Sequence, residues 1–124
     1  GKPIMIYGEP EDTTSVVYYS DVLEAAIRLM SSHEHGPLNV GSPEAMPIGD
    51  IAKKLVTALG STSTIRYSPH LPYTLRQSIP NIHHAKEKLG WFPVVSLEEG
   101  LRRTAVELRG SNTIEFNPDT FQQE

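Results

Sequence analysis

Cysteine is absent from this chain, so the sequence offers neither a disulfide framework nor a thiolate ligand for a metal. Positive charge is also scarce, because the formal net charge is −4, and this disfavours binding to nucleic acid or to an anionic membrane surface. No apolar run approaches the roughly 20 residues that span a bilayer, and no segment resembles a signal peptide. We therefore expect a soluble, cytoplasmic protein, and its 124 residues fit one domain.

Short β-rich segments alternate with segments of helical periodicity, and this alternation predicts an α/β fold with three to four helices. Ser20 and Asp21 are candidates for the N-cap of the first helix, and Pro47 suits the first turn of the second. Four short strands are too few to bury these helices, so we interpret the chain as part of a larger fold. The strands are expected at residues 3–7, 15–19, 38–40 and 63–67, and the glycines that end helices are Gly60, Gly90 and Gly110.

The segment "HAKEKLGWFPVVSLEEGLRRT", residues 84–104, predicts a helix, a stop and a second helix. Gly90 can adopt the left-handed conformation that closes a helix, and Pro93 prevents continuation. Ser96 and Glu99 form an S-x-x-E capping box at the next helix start. Trp91, directly after the stop, is expected to fill the core.

Three segments in series carry a family likeness: "PIMIYGEPEDTTSVVYYSDVLEAAIRLM", "GPLNVGSPEAMPIGDIAKKL" and "NIHHAKEKLGWFPVVSLEEGLRRT". Together they resemble the C-terminal portion of the extended short-chain dehydrogenases that act on nucleotide sugars, most closely the UDP-glucuronate decarboxylases and dTDP-glucose dehydratases. The resemblance implies the C-terminal lobe of a Rossmann-type fold over residues 1–110, followed by a loose tail at 111–124. It also implies a UDP- or dTDP-sugar substrate, NAD as cofactor, and a helix-stop-helix element that closes the substrate-binding lobe.

The same resemblance shows what this chain lacks. The family binds NAD with a Gly-rich loop and works with a Tyr-x-x-x-Lys pair, and neither pattern occurs here. We therefore expect no catalytic residue on this chain, and NAD would be bound by an N-terminal half. Three interpretations stay open: part of a longer enzyme, a non-catalytic binding or regulatory module, or a relative that acts on a non-nucleotide substrate. An isolated lobe would expose the face that meets the other half, so we expect self-association as a homo-oligomer or marginal stability.

Three residues are candidates for substrate binding by the resemblance. Tyr7 occupies the place of an aromatic residue beside the nucleotide base, although a tyrosine that packs at a strand end is the alternative. Thr14 replaces an arginine that clamps the diphosphate, and a hydroxyl supplies at most a hydrogen bond. Arg76 could reach the same phosphate from its loop, since the expected arginine position is Ser78, but an exposed arginine is the alternative. Asp21 matches an aspartate at the helix start, where we expect a structural cap.

Overall fold

The structure is a computed structural model, and it describes residues 2–72 and 79–110. Over these ranges the chain is an α/β unit in which short strands alternate with helices, as expected. Arg76, Ser78 and the tail at 111–124 lie outside the described residues. In chain order the elements are β1 (Ile4–Tyr7), β2 (Thr13–Thr14), α1 (Tyr19–Met30), β3 (Met46–Pro47), α2 (Ile48–Leu59), β4 (Ile65–Ser68), α3 (His83–Leu89) and α4 (Leu97–Gly110).

The strands form two separate pairs. β1 runs parallel to β4, with Ile4 opposite Ile65 and Tyr7 opposite Ser68, and the ladder continues one step further through a bond from Gly8 N–H to the Ser68 carbonyl at 2.9 Å. β2 and β3 pair in antiparallel fashion over two residues each. A parallel pair needs a long crossover, and here α1 and α2 both lie within it.

Glycine ends two helices as the sequence predicts. Gly60 follows α2 at φ +59°, and Gly90 follows α3 at φ +60°, a left-handed conformation that residues with a Cβ avoid. Gly110 is the last residue of α4. The stop signals at Gly60 and Gly90 are therefore confirmed.

The predicted strand at residues 15–19 is wrong. The strand at this place is Thr13–Thr14, and Tyr19 already begins α1. Because β2 and β3 are antiparallel, a strand at 15–19 would need the residues before Met46 as partners, and residues 42–45 form no strand. Residues 38–40, also expected as a strand, form no ladder within the described part of the chain.

The hydrophobic core joins α1, α3 and Trp91, the second residue after α3. Ala25, Ala85 and Trp91 are buried together, and Val40, Ile82 and Leu89 pack against them. Trp91 is only 1% exposed, which confirms its expected place in the core. Small alanines on the two helices let them approach the large indole ring closely. In a separate contact, α4 lies against α2, where Arg109 donates to the Leu59 carbonyl at 2.8 Å.

Within residues 2–72 and 79–110, no helix has both the length and the apolar character needed to cross a membrane.

Candidate functional site

The segment between α3 and α4 is held in place by Asp21. This carboxylate is 4% exposed, and its Oδ2 accepts hydrogen bonds from the backbone N–H groups of Val94 at 3.1 Å and Val95 at 3.0 Å. Asp21 is the third residue of α1, whose N-cap is Tyr18 and has no side-chain cap. The expected capping role was wrong. The Asp21 carboxylate instead accepts hydrogen bonds from backbone N–H groups more than 70 positions away in sequence.

Two further bonds attach the same segment to α1. The Trp91 indole Nε1–H donates to the Asp21 carbonyl at 2.8 Å. Arg28, in the last turn of α1, donates from Nη1 to the Gly90 carbonyl at 2.6 Å and thereby caps the end of α3. A positive charge is favourable at a helix C-terminus, where carbonyl groups lack helical partners. Three groups of α1 therefore fix the path of residues 90–95: the Asp21 carboxylate, the Asp21 carbonyl and the Arg28 guanidinium.

The segment fixed in this way forms one wall of a cavity of about 630 Å³. The opposite wall comes from β2, β3 and the loop before β3. This volume lies within the range of small-molecule sites. The residues that line the cavity are Thr14, Val16, Val17, Ser42, Pro43, Glu44, Met46, Ile82, Lys86 and residues 92–98.

Charge at the cavity is mixed. In the part of the chain that the structure describes, Lys86 supplies the one positive charge of this lining, and Glu44 and Glu98 supply negative charge. Lys54 forms an ion pair with Glu98, and its hydrogen bond lowers the pKa of that carboxyl. The arrangement can hold a polar ligand, but it offers a phosphate group little net attraction from the described side chains.

One of the two hydrogen bonds expected of the capping box forms at the start of α4. Ser96 Oγ accepts from the Glu99 N–H at 3.3 Å, as expected. The Glu99 carboxylate binds Arg102 and Arg103, each at 2.8 Å or less, and these hydrogen bonds lower its pKa to about 2. Glu99 is therefore ionised at neutral pH and holds two arginines on the face of α4.

The structure separates the predicted binding residues. Thr14 is buried and lines the cavity. Tyr7 is the last residue of β1, half exposed, and is not part of the cavity lining. Arg76 lies outside the described residues. The roles of all three in binding stay predictions.

A histidine–carboxylate pair that the sequence analysis missed lies beside Gly8, the residue that follows Tyr7. His70 Nε2 is 2.6 Å from Asp12 Oδ2, beyond the carboxyl ends of the parallel strands β1 and β4. Ligands of α/β proteins bind preferentially outside the carboxyl ends of parallel strands. The two residues are 58 positions apart, so no local pattern indicated the pair. The one available signal was that both follow a predicted strand.

Comparisons with known proteins identify relatives over most of the chain. No protein-family model matches it. UDP-glucuronic acid decarboxylase 1 of Arabidopsis thaliana is 33% identical over 107 residues, which cover 86% of this chain and 25% of that protein. The enzyme of the same description from Danio rerio is 36% identical over 104 residues, or 84% of this chain and 25% of that protein. The chain thus spans about a quarter of the length of these relatives.

The solved structures that superpose on this chain include epimerases of UDP-sugars. UDP-glucose 4-epimerase of Thermotoga maritima, with UDP-glucose, superposes with a TM-score of 0.81 at 33% identity, covering 87% of this chain and 35% of that one. UDP-glucuronic acid 4-epimerase of Bacillus cereus, in complex with UDP-glucuronic acid and NAD, gives a TM-score of 0.78 at 23% identity with the same coverage. At 23% identity, the likeness to the Bacillus cereus enzyme shows a shared fold alone. In both cases the matched part is the C-terminal portion of a Rossmann-type fold.

Proposed function

Because the chain is homologous to one part of the NAD-dependent extended short-chain dehydrogenases that act on nucleotide sugars, we propose that it is the substrate-binding part of such an enzyme. Its ligand is then a nucleotide sugar of the UDP or dTDP class, and it is not catalytically competent by itself. The observation that carries this proposal is the cavity wall at residues 92–98, which is anchored to α1 through Val94 and Val95, in a chain that superposes on an epimerase with UDP-glucose.

NAD does not fit the described residues of this chain. A dinucleotide site needs a glycine-rich turn that leads from a strand into a helix N-terminus. Here β1 leads through a turn closed by a bond from the Asp12 N–H to the Glu9 carbonyl at 3.1 Å, and then into β2. That turn carries three acidic side chains, which would repel a pyrophosphate: Glu9, Glu11 and Asp12. We therefore assign NAD to a separate dinucleotide-binding part, and this chain contributes binding and orientation.

Tyr7 is the proposed contact with the nucleotide base. Its exposed ring can stack on a base, and stacking on an aromatic side chain is worth about 1–3 kcal/mol. We expect Tyr7→Leu to weaken binding of UDP by about tenfold or more, measured by isothermal titration calorimetry. Tyr19→Leu is the matched control, because Tyr19 is similarly exposed on α1 and should leave the affinity unchanged. Equal affinities of the two variants would contradict the assignment of Tyr7.

One observation favours the alternative of a non-catalytic binding module. Thr14 lines the cavity at the position where the family resemblance implies a diphosphate-clamping arginine, and Lys86 is outnumbered by Glu44 and Glu98 among the described lining residues. Titrations with UDP-glucuronate and with a neutral nucleoside separate the two functions. A substrate-binding part prefers the nucleotide sugar, whereas a module that has left sugar chemistry shows no preference for the diphosphate.

We also propose that the chain self-associates through α1. Its cytoplasmic location stays a prediction from the sequence. Five apolar or aromatic side chains are exposed on one stripe of this helix: Tyr19, Val22, Leu23, Ile27 and Met30. Their spacing follows the helical period, and a contiguous exposed stripe of this kind favours association. A second copy can bury the stripe against its own.

Sedimentation velocity over a wide range of protein concentrations tests this association. We expect a dimer at high concentration and a monomer for Ile27→Lys, because a charge in the middle of the stripe would be buried without a partner. Leu108→Lys is the control, since Leu108 is exposed on α4 and lies outside the stripe. A wild-type chain that stays monomeric at every concentration would exclude self-association through α1.

A further inference from the structure

The pair of His70 and Asp12 lies directly against Gly8, at the end of β1. A Cβ on Gly8 would lie 2.5 Å from Asp12 Oδ2 and 3.0 Å from His70 Nε2, so both side chains occupy the space that any other residue would fill. Gly8 also has φ +140°, which restricts side chains independently of that space. The backbone therefore admits the pair only because position 8 is glycine, and the imidazole lies beside the residue that follows Tyr7 in sequence.

The partners of Asp12 determine which nitrogen of His70 carries the proton. Asp12 Oδ2 accepts a hydrogen bond from the Glu9 N–H at 2.8 Å, and an ionised carboxylate accepts hydrogen bonds and donates none. The neutral imidazole must therefore donate from Nε2 to Asp12, which leaves Nδ1 as an acceptor. Half of the His70 side chain is exposed, and no other residue in the described ranges bonds to its ring.

We propose that His70 is a further ligand contact of this module, in which Nδ1 accepts a hydrogen bond from a ribose hydroxyl of the bound nucleotide. The inference rests on the proposed function, because it takes the base to stack on Tyr7. The ribose attached to such a base lies within a few ångströms of the ring edge, and one residue of extended chain spans about 3.3 Å. Asp12 is a positioning residue that fixes the tautomer and orientation of His70.

Calorimetric titration of the full chain with UDP and with its 2′,3′-dideoxy analogue tests the proposal. We expect His70→Phe to weaken UDP binding about two- to tenfold, which is the range for one net hydrogen bond. The dideoxy analogue should bind wild type and His70→Phe equally, because it lacks the donor. His83→Phe is the control, since His83 is an exposed histidine that pairs with Glu87 at 3.2 Å on α3.

The tautomer gives a readout that a merely structural role of Asp12 would not change. In wild type the ¹⁵N chemical shifts of the His70 ring should show a protonated Nε2, and Asp12→Asn should lose this preference while thermal unfolding stays nearly the same. Equal UDP affinity of wild type and His70→Phe would overturn the inference and leave the proposed function intact. Absence of UDP binding to the wild-type chain, with or without a dinucleotide-binding part, would overturn both.

Discussion

Replacement of Trp91 by alanine is expected to lower the free energy of unfolding by about 3–5 kcal/mol, the range for removal of a buried tryptophan. Trp91 is the largest fully buried side chain among the described residues, and it joins α1 to α3. Domains of this size have a total stability of about 5–15 kcal/mol, so this one substitution would remove a large share of it. The loss combines a cavity in the core with the broken bond to the Asp21 carbonyl.

Urea denaturation followed by far-ultraviolet circular dichroism measures this effect. Fluorescence does not serve here, because Trp91 is the one tryptophan of the chain. Phe92→Ala is the matched control: Phe92 is the adjacent aromatic residue, it is more than half exposed, and its removal should cost less than about 1 kcal/mol. Trp91→Phe retains most of the ring and removes the N–H donor, so its cost should be intermediate. Equal losses for Trp91→Ala and Phe92→Ala would contradict the described core.

Replacement of Asp21 by alanine is expected to lower the free energy of unfolding by about 2–4 kcal/mol. Hydrogen bonds to a charged group contribute about 1.5–3 kcal/mol each, and Asp21 accepts two, although partial access of water to Val94 and Val95 reduces the loss. Asp21→Asn retains one acceptor oxygen without the charge, so its cost should be smaller. Amide hydrogen exchange at the two valines should rise in both variants, because their N–H groups lose a protected partner.

Asp50→Ala is the control for this change. Asp50 occupies the third position of α2, as Asp21 does in α1, but it is exposed and pairs with Lys53 on the surface. Exposed ion pairs contribute about 0–1 kcal/mol, so Asp50→Ala should change stability little. If the two variants lost the same stability, the bonds from Asp21 to the segment before α4 would not matter to the fold.

Local signals in the sequence predicted the structure correctly wherever a single residue determines the backbone conformation. Gly60 and Gly90 end their helices because positive φ is open to glycine, and Ser96 caps the next helix because its hydroxyl reaches an amide three residues on. The strand predicted at 15–19 failed for the opposite reason. Valine and tyrosine favour strands, but a strand also needs a partner, and the residues before Met46 that would pair with 15–19 are not extended into a strand.

The site depends on contacts between residues that are distant in sequence. Asp21 stands where a helix cap is common, yet its carboxylate serves Val94 and Val95, and no periodicity reveals such a bond. The pair of Asp12 and His70 was missed for the same reason. Family resemblance located Tyr7 and Thr14 and supplied their roles by analogy, because a role in binding depends on the ligand and not on the fold alone.

The attachment of α1 to residues 90–95 also has a consequence for biosynthesis. On the ribosome α1 emerges about 60 residues before Trp91, and its core partners do not yet exist. An isolated helix of 12 residues is marginal in water, so during this interval the face of α1 that carries Ala25 lacks the residues that bury it. Closing such a long loop is slow relative to helix formation. A nascent chain stalled before Val95 would therefore remain a client of the quality-control machinery, because Asp21 and Ala25 would still lack their partners.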